Sequence, residues 1–459
     1  MMNILGGPKT PPILQLIQWI ADPIGFMESN AKRYGDIFFA RLGKSLPLVF
    51  ISQPKVVKEI FSLDSCQFDA DESSDVLRIL LGHNSIVLSN GAFHKRQRQL
   101  LMPPFHGSRI FTYGQLICKI TQRVISNWDK GRPFSVRPCA LDITMQVILQ
   151  AVFGLQKGAR YQELHDEVGA FLDMTASPVQ ALPLYFRFLQ QDLGEWSPWG
   201  RFIRCRQKVD DLLYAEIRER RENLDSSRTD ILTLLLSARD ENGDAMTDEE
   251  LRDELMTLLL AGHETTATAL SWALYWIHKL PDVRSKLQAE LDSLGTNLDP
   301  VAIFKLPYLT AVCQETLRIY PVLPVVLSRV AKFPQQILDY QLSTGTMVAP
   351  CIYLTHHRED IYPDPKRFRP ERFIEGQYSP HEYLPFGGGN RRCIGMALAQ
   401  YEMKLTIATI LLNLELKLPN ERPIHPVRRG VTLAPPDNLR LVVTGRRTPN
   451  PTSATAAVR

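Results

Sequence analysis

Ten consecutive residues, Phe386-Gly387-Gly388-Gly389-Asn390-Arg391-Arg392-Cys393-Ile394-Gly395, constrain this chain more than any other stretch. Three glycines in a row let the backbone take positive φ values and approach another group with no Cβ in the way. Cys393 closes the loop, and the pattern from Met396 onward is that of a helix. A cysteine at such a junction meets the positive end of a helix dipole and several amide N–H groups, both of which favour thiolate over thiol. With no second cysteine nearby, that thiolate suits a single axial bond to haem iron. An inert buried cysteine beside a flexible turn is the alternative. A phosphate-binding loop is excluded, because no Gly-Lys-Ser/Thr ending follows the glycines.

Bulk properties set wide bounds. A chain of 459 residues can bury a large core, and its length leaves room for about two or three domains. No change in composition marks a boundary, so residues 1–445 read as one domain. The polar, Pro- and Ala-rich tail 446–459 is expected to be disordered. A net charge of +4 is mildly basic and well short of a nucleic-acid binder. The seven cysteines (66, 118, 139, 205, 313, 351 and 393) form no C-x-x-C pair, which argues for a reducing compartment and against zinc or a disulfide framework. The apolar patch Ile13 to Ile20 lies between Pro11-Pro12 and Asp22-Pro23. It is too short to span a bilayer and lacks a signal-peptide layout. The expectation is a cytoplasmic protein with no transmembrane segment and at most peripheral membrane contact.

Along the chain, Ile37 to Arg41 and Leu46 to Ser52 predict a hairpin around Gly43-Lys44, and a helix follows from Pro54 to Leu63. Residues 64–90 read as a long irregular loop of the kind that forms lids or binding loops. A helix from Gly91 to Met102 stops at Pro103-Pro104 and places His94 and Arg98 four apart on one face, where both can donate to one anion. A solvated basic face explains the same charges. From Ser108 to Asp240 the pattern is of successive helices. The greasy run Leu182 to Leu189 reads as core packing, with an apolar entrance or a membrane contact as alternatives.

Thr247-Asp248-Glu249-Glu250 is a capping box, and the helical pattern behind it runs to Leu280 before Pro281. At 1.5 Å per residue that is about 50 Å, enough to cross a whole domain. Its middle, Ala261-Gly262-His263-Glu264-Thr265-Thr266, is a poor helix interior. Such a weak spot is either a functional site or a plain kink. Leu306 to Tyr320 is a further helix, with Glu315 and Arg318 three apart. Ile337 to Leu342 and Thr346 to Leu354 read as strands, Met396 to Leu412 as a helix and Arg440 to Thr444 as a strand.

The cysteine loop resembles the haem-binding signature of the cytochromes P450, F-x-x-G-x-R-x-C-x-G, at every fixed position. The resemblance extends over nearly the whole chain. The family's oxygen-binding motif, [A/G]-G-x-[D/E]-T-T, matches 261–266. Its W-x-x-x-R helix matches with His94 in place of the usual Trp, which leaves the role of His94 open. Its E-x-x-R matches Glu315 and Arg318, with Arg372 as the third member of a buried structural triad. The resemblance implies a mainly α fold with a smaller β region, and haem b bound between the long central helix and the cysteine loop. Cys393 is then the axial ligand, with Phe386, Gly387 and Gly395 around it and Ala261 on the distal side. The small residues Ala261 and Gly262 leave room for dioxygen. Arg98, Arg329, Arg391 and His94 reach the haem propionates.

The implied activity is monooxygenation, with Thr265 hydrogen-bonding oxygen or a water and Glu264 relaying protons. A thiolate ligand favours O–O cleavage. Electrons come from a ferredoxin or flavodoxin with a separate reductase, since no flavin or nicotinamide motif is present. Lys95, Arg96 and Arg392 are candidates for the docking face. The substrate is a small lipophilic molecule, with fatty acids, alkanes and terpenoids in that order, and the protein is read as a monomer. Two rival functions are an enzyme that uses or rearranges a peroxide and a non-catalytic haem sensor.

Overall fold

Prolines and caps fix the ends of the main helices. In this computed structural model residues 6–447 are described, apart from 43–46, 64–66, 71–74, 156–157, 177–181, 224, 226, 296–298 and 338. The expected turn at Gly43-Lys44 and the tail from 448 lie outside the described residues. Proline opens α1 (Pro12–Ala21) and α2 (Pro54–Ser62), where its missing N–H costs nothing. Pro103 follows shortly after α3 (Gly91–Leu101), and a long apolar helix, α4, covers Val136–Phe153. The capping box ahead of α5 (Asp248–Lys279) is reciprocal: Glu250 N–H donates to Thr247 Oγ1 at 3.1 Å, and Thr247 N–H donates to Glu250 Oε2 at 2.9 Å. Pro307 opens α6 (Pro307–Ile319), and α7 (Met396–Asn413) follows the cysteine loop.

Contacts gather into two units. The first comprises Met1–Asp71, Gly114–Ala140 and Thr265–Arg459. Its largest sheet has five strands, β1 (Ile37–Ala40), β2 (Leu48–Ile51), β3 (Phe68–Ala70), β4 (Arg329–Ala331) and β5 (Met347–Pro350), in the order β1-β2-β5-β4-β3. The β2–β5 pair is parallel and the other neighbours are antiparallel. Phe38 and Phe50 stack beneath this sheet with centroids 5.1 Å apart, and Trp19 of α1 meets Phe50 edge-on. Burying side chains of this size contributes about 1.5–3 kcal/mol each. The second unit, Glu72–Tyr113 with Leu141–Glu264, is helical. Its buried Arg220 is held by Glu216, Asp230 and Thr233.

Several expectations need adjusting. Residues 64–90 are not irregular throughout: β3 pairs with β4, because Phe68 and Ala70 are buried on one face, and Asp75–Leu81 is helical. The run Thr346 to Leu354 is a strand only to Pro350 and then a short helix, Ile352–His356. The run from 337 to 342 is split into the two arms of a hairpin, Gln335–Ile337 and Tyr340–Leu342. Core packing does not describe the greasy 182–189 run: Phe186 and Phe188 are 46% and 71% exposed, with only Pro183 and Leu184 among its described residues buried. Among the described residues α4 alone is long and apolar enough to cross a membrane, and 56% of it is buried inside the protein.

Candidate active site

The cysteine loop folds back on itself, with Cys393 N–H donating to the Phe386 carbonyl at 3.0 Å. Gly387 and Gly389 both have φ of +67°, a region costly for residues with a Cβ. Gly388 is needed for space: a Cβ there would lie 2.2 Å from the Phe61 ring at the end of α2. The loop presents Cys393 just before the first turn of α7. Among the described residues it is the one exposed cysteine. Burial pushes the Cys313 and Cys351 thiols up to about 12, so neither ionises near neutrality.

Arg329, at the start of β4, is buried beside this loop. Its Nη2 donates to the Gly388 carbonyl at 3.0 Å and its Nη1 to the Ile60 carbonyl at 3.2 Å, while its buried Nε has no partner. Among the described residues no carboxylate pairs with it. Burial, helped by the positive charge of Arg391, brings its pKa down to about 10. A buried guanidinium that donates only to carbonyls and lies over the Phe61 ring still calls for an anion. An exposed cysteine at a helix start, with two arginines of which one lacks an anion, fits a haem carrying propionates.

In the second unit His94 is buried and Arg98 half-buried, four apart along α3. Gln97, unnoticed in the sequence, is fully buried with neither amide atom partnered. Arg96 is not available for docking. It is held by Asp240 at 2.6 Å, Glu250 at 2.8 Å and the Ala245 carbonyl at 3.0 Å. Lys95 and Arg392 are exposed.

Helix α5 is buried over 251–257 and again over 266–275, but Ala261 is exposed and Gly262, Glu264 and Thr265 are half-buried. The helix therefore opens at the A-G-H-E-T-T segment. Gly262 also makes room for a packing neighbour. Its missing Cβ points at α4, where a Cβ would lie 2.5 Å from Ile148 Cδ1. Its smallness admits a neighbouring helix. One turn earlier on α4, Thr144 Oγ1 lies 2.9 Å from His263 Nδ1. Further back on α5, three side chains grip the segment before α3. Asp253 accepts from the Asn84 N–H at 2.9 Å, Glu254 accepts from the Ile86 N–H at 2.8 Å, and Thr257 donates to Ser85 Oγ at 2.8 Å. Only the clustering of acids on one helix hinted at this clasp.

The structural triad assembles as expected. Glu315 takes two hydrogen bonds from Arg318, at 2.6 and 2.8 Å, and one from Arg372 Nε at 3.1 Å. All three side chains are buried, and Arg318 also donates to the His356 carbonyl at 2.8 Å.

The description "Cytochrome P450" matches residues 5–443 as a family model. A Mycobacterium tuberculosis protein provisionally named cytochrome P450 135B1 is 35% identical over 457 residues, covering 99% of this chain and 94% of its own length. Another from that organism, provisionally named cytochrome P450 138, is 31% identical, covering 97% and 100%. Among solved structures, cyanobacterial CYP120A1 with retinoic acid bound has a TM-score of 0.83 at 27% identity, covering 97% of this chain and 100% of that one. The haem domain of cytochrome P450DA, at 23% identity, shares the fold with a TM-score of 0.85. With the cysteine loop, the A-G-H-E-T-T sequence and the buried triad all present, the chain belongs to the cytochrome P450 family of haem-thiolate monooxygenases.

Proposed function

We propose that this protein holds haem b through the Cys393 thiolate and hydroxylates a lipophilic substrate, drawing electrons from a ferredoxin or flavodoxin and its reductase. The exposed Cys393 beside the anion-less Arg329 is the observation that carries the reading. Bound, the haem supplies reductive activation of dioxygen and transfer of one oxygen atom into a C–H bond, the other leaving as water. Phe386, Gly387 and Gly395 frame the thiolate. Arg329 and Arg391, and separately His94 and Arg98, hold propionate oxygens. Thr265 offers a hydroxyl that holds a proton donor in place on the distal side, and Glu264 resupplies that proton from solvent. Ala261 keeps the helix surface low beside them.

The stretches matching the family's pocket are 64–90, Leu258 to Glu264, Pro324 to Leu327 and Thr432 to Pro435, and the last three are mainly apolar. A bound retinoic acid in the CYP120A1 structure supports a lipophilic carboxylic acid, within the fatty acid, alkane and terpenoid range. The odd number of scattered cysteines, with no C-x-x-C pair in the sequence, supports a cytoplasmic setting. In the test, the ferrous protein with carbon monoxide should show the strongly red-shifted band of a thiolate ligand, and Cys393→Ala should lose it. Product should require oxygen together with added reductase and ferredoxin or flavodoxin. Product from hydrogen peroxide alone would favour the peroxide-using reading, and a variant that kept the band would exclude Cys393.

A further inference from the structure

Thr144 and His263 are 119 residues apart, yet one hydroxyl reaches two groups of a single histidine. Thr144 Oγ1 lies 3.1 Å from the His263 carbonyl oxygen and 2.9 Å from His263 Nδ1. Both residues are buried. The hydroxyl has one proton and two lone pairs. A proton given to Nδ1 would leave the carbonyl facing a lone pair. A proton given to the carbonyl lets Nδ1–H donate into the hydroxyl oxygen, so that both contacts become hydrogen bonds. The Leu141 carbonyl, at 3.2 Å, is the competing acceptor within α4 itself. Turning the 3.1 Å oxygen–oxygen contact into a hydrogen bond while Nδ1–H donates into the hydroxyl favours the closed arrangement, in which His263 carries its proton on Nδ1.

Packing makes this reach possible. Ile148 sits four residues beyond Thr144, on the same face of α4, and fills the place where Gly262 lacks a Cβ. Ile148 against Gly262 sets the distance between the helices, and Thr144 against His263 sets their register and rotation. The residues that follow, Glu264 and Thr265, take their direction from that register.

We propose that Thr144 and His263 are positioning residues, a two-bond clamp on α4 that orients Glu264 and Thr265 toward the oxygen side of the site. The proposal rests on the haem-thiolate reading above and extends it to the contact between α4 and that segment of α5.

The test uses the full-length holoprotein as its ferrous carbon monoxide complex, with carbon monoxide itself as the probe. Nitrogen NMR of ¹⁵N-histidine-labelled protein should show one ring protonated on Nδ1, assigned by its disappearance in His263→Gln. Thr144→Val keeps the shape and deletes the hydroxyl. It should move the proton to Nε2, speed amide exchange over 264–268 by about tenfold, and shift the C–O stretching band in the direction that Thr265→Ala shifts it. Thr144→Ser should restore the parent behaviour in all three. A parent His263 protonated on Nε2, or a Thr144→Val protein with an unmoved stretching band, overturns the clamp. Absence of the red-shifted carbon monoxide band in the parent overturns the haem-thiolate reading instead, and the histidine tautomer and amide exchange remain measurable without it.

Discussion

Arg318 Nε lies 2.6 Å from Glu315 Oε2 with both side chains wholly withdrawn from solvent. Arg372 shares the same carboxylate at 3.1 Å, and the Arg369 N–H donates to it at 2.8 Å. One carboxylate thus ties α6 to the 369–372 segment. Glu315→Ala leaves two buried guanidinium groups uncompensated, and removing one partner of a buried pair costs about 3–5 kcal/mol. Urea denaturation should show that loss, together with a falling haem-to-protein ratio. A Glu315→Ala protein with the parent's denaturation midpoint would show that the carboxylate is dispensable.

Much of this architecture is legible in local sequence because its signals are local. Prolines and the Thr247–Glu250 box mark helix ends within a residue or so, and the cysteine loop is a contiguous pattern. Glu315 and Arg318 meet because helical spacing brings them together. What sequence could not show is what fills the space around a residue. That Ile148 lies against Gly262 depends on how α4 packs, which no local pattern encodes. Arg96 looked like an open docking cation, but Asp240 is 144 residues away in the chain. The three-residue strands β3 and β4 are too short for alternation to reveal, and exist because the sheet supplies partners.

Gly262→Ala sets two effects against each other. Alanine favours a helix over glycine by about 1 kcal/mol, whereas overpacking costs about 1–3 kcal/mol. The clashing atom is the far end of Ile148, 2.5 Å from the new methyl, so the cost stays below the upper limit, at about 2 kcal/mol, and the net loss should be about 1 kcal/mol. Ile148→Val removes that one atom. In its background the same Gly262→Ala change should become stabilising by about 1 kcal/mol. A double-mutant cycle on thermal or urea unfolding measures the change of sign, and strictly additive effects would exclude the contact.

Glu402, on α7 beyond the cysteine, has its carboxyl pushed up from the ordinary 4.5 to about 8 by burial, and its Oε1 has no hydrogen-bond partner. The folded protein therefore keeps this proton where the unfolded chain releases it. The sign follows: its contribution is fully present below pH 4.5, declines as pH rises, and is lost above about pH 8. The change is on the order of a few kcal/mol. Glu402→Gln should remove this dependence, so the stability of the parent relative to the variant, read from a urea series, should fall between pH 5 and pH 8 by about 1.4 kcal/mol per pH unit. Parallel pH profiles for the two proteins would show that Glu402 is already ionised in the fold.

Thr265 and Glu264 stand half-buried side by side where α5 opens, between two wholly buried stretches of the same helix. Productive cleavage of dioxygen needs protons at the distal oxygen in the right order, and premature release gives hydrogen peroxide. In the proposed mechanism Thr265 holds a donor in place but carries no net proton of its own. Thr265→Ala should therefore leave haem content and the carbon monoxide band nearly unchanged while reducing equivalents appear as peroxide. In the proposed mechanism Glu264 is the acid that resupplies the proton, so Glu264→Gln should slow oxygen consumption itself. A loss of about 10²-fold in product corresponds to about 2.7 kcal/mol of barrier, within the range of general-acid effects. The two variants thus separate by what they change: the partition of electrons for Thr265, the overall rate for Glu264. Measured peroxide, product and oxygen uptake under one reductase supply decide it. A Thr265→Ala enzyme as tightly coupled as the parent would move the proton-holding role to a water network or to a hydroxyl on the substrate.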